Sequence, residues 1–113
     1  MIKDDTIYLR HILDAINQIE EYVAGMDQEN FLSSRLVQDG VIRQFEIVGE
    51  ATKNLSRDIK ERYPDIPWKD MAGMRDKLIH QYFGVDIAAV WETVAQDLPS
   101  LKSEIAHILA AAS

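Results

Sequence analysis

The stretch Phe31-Leu32-Ser33-Ser34-Arg35-Leu36-Val37-Gln38-Asp39-Gly40-Val41-Ile42-Arg43-Gln44-Phe45-Glu46-Ile47-Val48-Gly49-Glu50-Ala51-Thr52-Lys53-Asn54-Leu55 decides the fold class. Val37, Val41, Phe45, Val48, Ala51 and Leu55 recur at three- and four-residue spacing, the period of one helix face. The spacing predicts one long helix over residues 31–55. Gly49 inside it costs about 1 kcal/mol relative to alanine, which points either to close packing by a neighbouring helix or to simple tolerance. Glu46 and Glu50 stand one turn apart, with Arg43 one turn before Glu46. These three either line a polar cleft or form a solvated helix face, and the spacing leaves both readings open.

The same period extends in both directions. Leu9, Ile12, Leu13, Ile16, Ile19 and Val23 predict a first helix over residues 5–24, capped by Asp5 or Thr6 and ended by Gly25. Residues 27–30 read as a polar connection. Downstream, Ser56 caps a short helix that ends near Tyr63, because Pro64 disfavours helical geometry in the residue before it. A third core helix starts at Pro67 or Trp68, carries Met71, Met74, Leu78 and Ile79, and stops by Gly84. Asp86 caps a fourth, with Ile87, Val90, Trp91, Val94 and Leu98 on one side. Pro99 kinks or restarts it before Leu101, Ile105, Ile108 and Leu109. No strand alternation and no repeat is present, so the expectation is an all-α bundle of four main helices with short additions, one domain over residues 1–113.

Composition narrows the chemistry. With no cysteine, the 113-residue chain has no disulfide, no cysteine–zinc site and no thiol nucleophile. Its three histidines, His11, His80 and His107, are scattered, and Glu104-x-x-His107 lacks the second copy that a carboxylate–histidine metal pair needs, so no metal and no cofactor are expected. Met1-Ile2-Lys3-Asp4-Asp5 has no apolar run of the signal-peptide kind, and no run approaches the roughly 18 residues of a membrane span, so the expectation is a cytoplasmic protein. A formal charge of −7 argues against broad nucleic-acid binding. The charge is uneven, however: residues 53–77 hold seven Lys/Arg against five acids, a balance of +2 that leaves −9 elsewhere. This strip either accepts RNA locally or is a set of solvated helix charges.

One segment concentrates reactive side chains: Gly73-Met74-Arg75-Asp76-Lys77-Leu78-Ile79-His80-Gln81-Tyr82-Phe83. Arg75 and His80 are five residues apart, about 140° around an ideal helix. A straight helix does not aim both at one point without the reach of the arginine side chain. Either the helix loosens near Gly84, or the site is shared across a two-fold dimer, in which an isologous interface brings two copies of the segment together. The spacing is equally compatible with a structural role, in which Arg75 pairs with Asp76 or Glu46 and His80 is a half-buried, hydrogen-bonded residue.

The segment resembles the signature of HepT-like proteins within the HEPN superfamily: arginine, a polar residue, three more residues, histidine, any residue, tyrosine. Ile47-Val48-Gly49-Glu50-Ala51-Thr52-Lys53 resembles the second-helix pattern of that family. So do Pro67-Trp68 before the signature, Val85-Asp86 and Trp91 after it, and Asp97-Leu98-Pro99. The resemblance covers nearly the whole chain. It implies a HEPN-type up-and-down four-helix bundle with a short extra helix, homodimeric, with the two Arg–His motifs meeting in one cleft. It further implies a metal-independent endoribonuclease, the toxin of a type VII (HepT/MntA) toxin–antitoxin system. Arg75 and His80 are then catalytic, and Asp76 supports them where many relatives carry asparagine. Tyr82 is the residue to which an MntA-like nucleotidyltransferase antitoxin transfers AMP. The alternative is a non-catalytic helical dimer that binds such a nucleotidyltransferase. The implied substrate is RNA rather than DNA, because RNA carries its own nucleophile, the 2′-hydroxyl; an imidazole can move the proton and a guanidinium can hold the phosphate.

Overall fold

A computed structural model describes residues 3–80 and 86–112, with side chains described for residues 4–74 and 86–112. Helix α1 (Lys3–Val23) buries Leu9, Ile12, Ile16 and Ile19 completely, while Leu13 and Val23 close the margin of the core. Gly25, at φ 77°, ends it in the left-handed conformation that glycine adopts without steric cost. Asp5 does not cap α1 as expected. The helix begins two residues earlier, and the buried Asp5 carboxylate reaches Ser56 instead, accepting bonds from its N–H (2.8 Å) and hydroxyl (2.6 Å).

The expected helix over residues 31–55 is two helices, α2 (Gln28–Leu32) and α3 (Arg35–Lys53). Side-chain oxygens make the break by competing with the backbone ladder. The Ser33 hydroxyl donates to the Glu29 carbonyl at 2.8 Å, and Ser34 accepts from the Val37 N–H at 3.4 Å to cap α3. The Gln38 amide then donates to the Phe31 and Leu32 carbonyls at the end of α2. Residues 27–30, expected as a connection, are the cap and first turn of α2, held by a reciprocal Asp27–Asn30 capping box. The break lets Phe31 turn fully inward, its ring centroid 5.2 Å from that of Trp91.

The core face of α3 is the expected one: Val41, Phe45, Val48, Ala51 and, just past its end, Leu55 are buried, and Val37 lies at the margin. Gly49 and Thr52 are buried beside them, with the Thr52 hydroxyl satisfied by the Val48 carbonyl at 2.7 Å. Ser56 caps α4 (Arg57–Arg62), which ends at Tyr63 before Pro64. Helix α5 (Trp68–His80) starts where expected, and the Trp68 indole N–H donates to the Tyr63 carbonyl at 2.9 Å across the turn.

Asp86 caps α6 (Ile87–Glu92) through the Ala89 N–H. The chain then widens into one π turn, residues 93–97, before α7 (Leu98–Ala112). Pro99 explains this widening: it has no N–H to give, and its ring crowds the carbonyl of residue 95 in a regular α-helix. The π turn, in which the Leu98 N–H reaches back to the Thr93 carbonyl, absorbs the conflict without breaking the rod. Leu98, Leu101, Ile105 and Ile108 stay in the core.

Helix α3 packs between α1 and α5, α7 lies against α1, and α2 bridges α3 and α6. Lys102 on α7 and Glu20 on α1 form a half-exposed ion pair at 2.6 Å. The described residues contain no strand, and no described helix is long and apolar enough to cross a membrane. This is an all-α bundle, as the sequence implies.

Candidate active site

Helix α5 carries the segment singled out by its chemistry. Its start is fixed by Trp68, buried and hydrogen-bonded to Tyr63, and its inward face by Met71, with Met74 at the core margin. The backbone is α-helical without interruption through His80. No loosening therefore separates Arg75 from His80, whose positions differ by about 140° around the axis and about 7.5 Å along it. The side chains of Arg75, Asp76 and His80, and the whole of Tyr82 and Gly84, lie outside the described residues. The structure thus places the Arg75, Asp76 and His80 backbones on one continuous helix packed against α3.

Glu46 and Glu50 line a groove between α1 and α3 of about 320 Å³, together with Tyr8, His11, Ile47 and Asn54. Arg43 rims it and pairs with Glu46 at 3.6 Å. The Tyr8 and His11 rings meet edge to face, centroids 6.0 Å apart. The Asn54 amide donates to the Glu50 carbonyl at 2.9 Å, which fixes its orientation at the end of α3. Apolar periodicity alone gives neither Tyr8 nor His11 a functional role. The available signal was their three-residue spacing, which places both rings on one edge of α1.

The Glu104–His107 pair lines a separate cavity of about 580 Å³ between the α4–α5 connection and α7, with Arg62, Tyr63 and Asp65. Among the described residues no three His, Cys, Asp or Glu side chains gather closely enough to hold a metal. Within the basic strip, Lys53, Arg57, Arg62 and Lys69 are exposed at the end of α3, on α4 and at the start of α5.

A helical bundle of this order, with arginine and histidine on one uninterrupted helix, has the organisation of a HEPN-type protein. Comparison with known families takes the assignment further: the family described as "Ribonuclease HepT-like" matches residues 12–108. The chain belongs to the HepT-like ribonuclease family. It is 52% identical over 97 residues to the "Probable ribonuclease HepT" of Thermococcus cleftensis, covering 86% of this chain and 88% of that one. It is also 51% identical over 109 residues to the "Gamma-glutamylcyclotransferase and putative RNase" of Methanocaldococcus jannaschii, and those residues are 96% of this chain but only 49% of the relative. The chain therefore spans about half the length of that two-part protein. No solved structure matches the chain.

Proposed function

We propose that this chain is a metal-independent endoribonuclease and the toxin of a type VII (HepT/MntA) toxin–antitoxin system. The observation that carries the reading is the family match over residues 12–108, which includes the whole of the Arg75–His80 helix. In the proposed reaction the RNA 2′-hydroxyl attacks its own 3′-phosphorus while His80 takes the hydroxyl proton. Arg75 holds the non-bridging oxygens, where charge accumulates in the pentavalent state. The P–O5′ bond breaks, the 5′ oxygen takes up a proton, and the products are a 2′,3′-cyclic phosphate and a 5′-hydroxyl. An ordinary imidazole titrates near pH ~6.5 and can serve as base or acid in neutral solution.

The unbroken helix between Arg75 and His80 supports a site shared by two copies of the chain. In a two-fold pair, Arg75 of one copy and His80 of the other face a single phosphate. Asp76 then orients the imidazole. Tyr82 is the proposed acceptor of AMP from a nucleotidyltransferase antitoxin; the added phosphate brings negative charge beside Arg75 and competes with RNA.

The test is incubation of the purified chain with RNA in EDTA, followed by end-group analysis. Cleavage leaving 2′,3′-cyclic ends, lost in both Arg75→Ala and His80→Ala, supports the scheme; undiminished cleavage by His80→Ala sinks the assigned role. A net charge of −7 favours a second reading, a helical dimer that only binds the nucleotidyltransferase. Absence of cleavage by the free protein, together with a stable complex, is its signature.

A further inference from the structure

We propose that the groove between α1 and α3 is a subsite that reads a guanine base of the RNA chain. The inference rests on the ribonuclease reading and adds to it a substrate preference. At about 320 Å³ the groove is at the small end of ligand pockets and suits a single base. Its walls are of two kinds. Tyr8, half-buried and packed on the core, forms with His11 a held aromatic edge on α1. Opposite, α3 presents Glu46, with Ile47 as an apolar floor and Asn54 at the far end. Unstacked RNA bases are recognised by this combination, an aromatic ring for the face and polar groups for the Watson–Crick edge.

Charge decides which part of RNA enters. A carboxylate repels phosphate, so Glu46 is unsuited to the backbone and suited to a donor-rich base edge. Guanine alone offers two adjacent donors, N1–H and N2–H, that one carboxylate accepts together. Arg43 is 69% exposed and Glu46 30% exposed, and their 3.6 Å contact is a surface pair too weak to hold the carboxylate against such a partner. The released guanidinium, at the rim, is placed to meet the neighbouring phosphate. A second hollow of about 260 Å³ shares His11 and Ile47 with the first and continues past Gln18 and Gln44. The groove is therefore long enough for more than one nucleotide.

The test measures binding rather than cleavage. The full chain is titrated by fluorescence anisotropy with 2′-O-methyl pentamers UUGUU, UUAUU, UUCUU and UUUUU, which lack the nucleophile. UUGUU is expected to bind about tenfold tighter than UUUUU, the usual discrimination of one bidentate base contact. Glu46→Gln should remove the guanine preference, and Tyr8→Leu, which keeps apolar bulk while deleting the ring, should weaken UUGUU. Equal affinity for all four pentamers, or a preference that survives Glu46→Gln, overturns the proposal. Binding of guanosine 5′-monophosphate without any gain of UUGUU over UUUUU assigns the groove to free nucleotides and overturns it as well. These pentamers cannot be cut, so guanine preference without nuclease activity would leave the subsite standing and remove the ribonuclease reading, and cleavage without the preference would do the reverse.

Discussion

The Asp5 carboxylate accepts both the backbone N–H and the hydroxyl of Ser56, joining the first turn of α1 to the cap of α4 across 51 residues of chain. Asp5 is buried, and hydrogen bonds to a charged acceptor are among the stronger ones. Asp5→Ala strands two donors and should cost about 2 kcal/mol. Asp5→Asn, which keeps one acceptor oxygen, should cost less. Urea denaturation of the two variants checks the order; equal stability of both with the parent would contradict it.

Phe31 is the side chain that the break at Ser33-Ser34 turns into the core. Its replacement by alanine should cost about 3 to 5 kcal/mol, the usual range for a buried ring. Because the ring packs on Trp91, the variant should also shift indole emission to longer wavelength. Thermal denaturation followed by tryptophan fluorescence reads both effects.

Much of this fold is visible in the sequence, and its exceptions have local causes. The stripes of α1 and α3, the Ser56 and Asp86 caps, the Gly25 stop and the start of α5 follow from period and capping chemistry. The α2–α3 break is not visible in periodicity, because the apolar spacing runs on through it. Two serine hydroxyls and the Gln38 amide, which satisfy the severed carbonyls, decide it. Asp5 was legible as a capping residue, but its partner Ser56 lies 51 residues away, a distance that local rules do not span. The site divides in the same way. Arg75 and His80 stand out by residue type and resemblance, Glu46 and Glu50 by helical register. The aromatic edge of Tyr8 and His11 becomes a groove wall only when α1 and α3 are packed together.

Trp68 holds the entry to α5 through one indole hydrogen bond and a buried ring. Trp68→Phe keeps most of the burial and removes the donor to the Tyr63 carbonyl, for an expected loss of about 1 kcal/mol. If α5 presents the reacting groups, the variant should lose more RNA-cleaving activity than its stability change predicts at a temperature where it is fully folded. Activity unchanged at that temperature would show that the turn matters for stability alone.

Gly25 has nothing within 4 Å of where a Cβ would stand, so its substitution reports on backbone conformation only. Gly25→Ala should cost about 1 kcal/mol, the penalty of the left-handed region, and Gly25→Asn less. Denaturant midpoints of the two variants give the comparison.

The central claim is that Arg75 and His80 cut RNA together, one copy of the chain completing the other's site. The most direct measurement mixes Arg75→Ala and His80→Ala proteins, each inactive alone, under conditions that exchange subunits, and assays RNA cleavage in EDTA. When Arg75 of one copy works with His80 of its partner, a mixed dimer holds one site with both side chains intact and one with neither; when both come from the same helix, each site lacks one of the two. The account predicts that mixing restores part of the activity, with 2′,3′-cyclic phosphate ends. No restoration, with subunit exchange verified by mass spectrometry, would contradict the shared site; full activity of either variant alone would contradict the catalytic assignment itself.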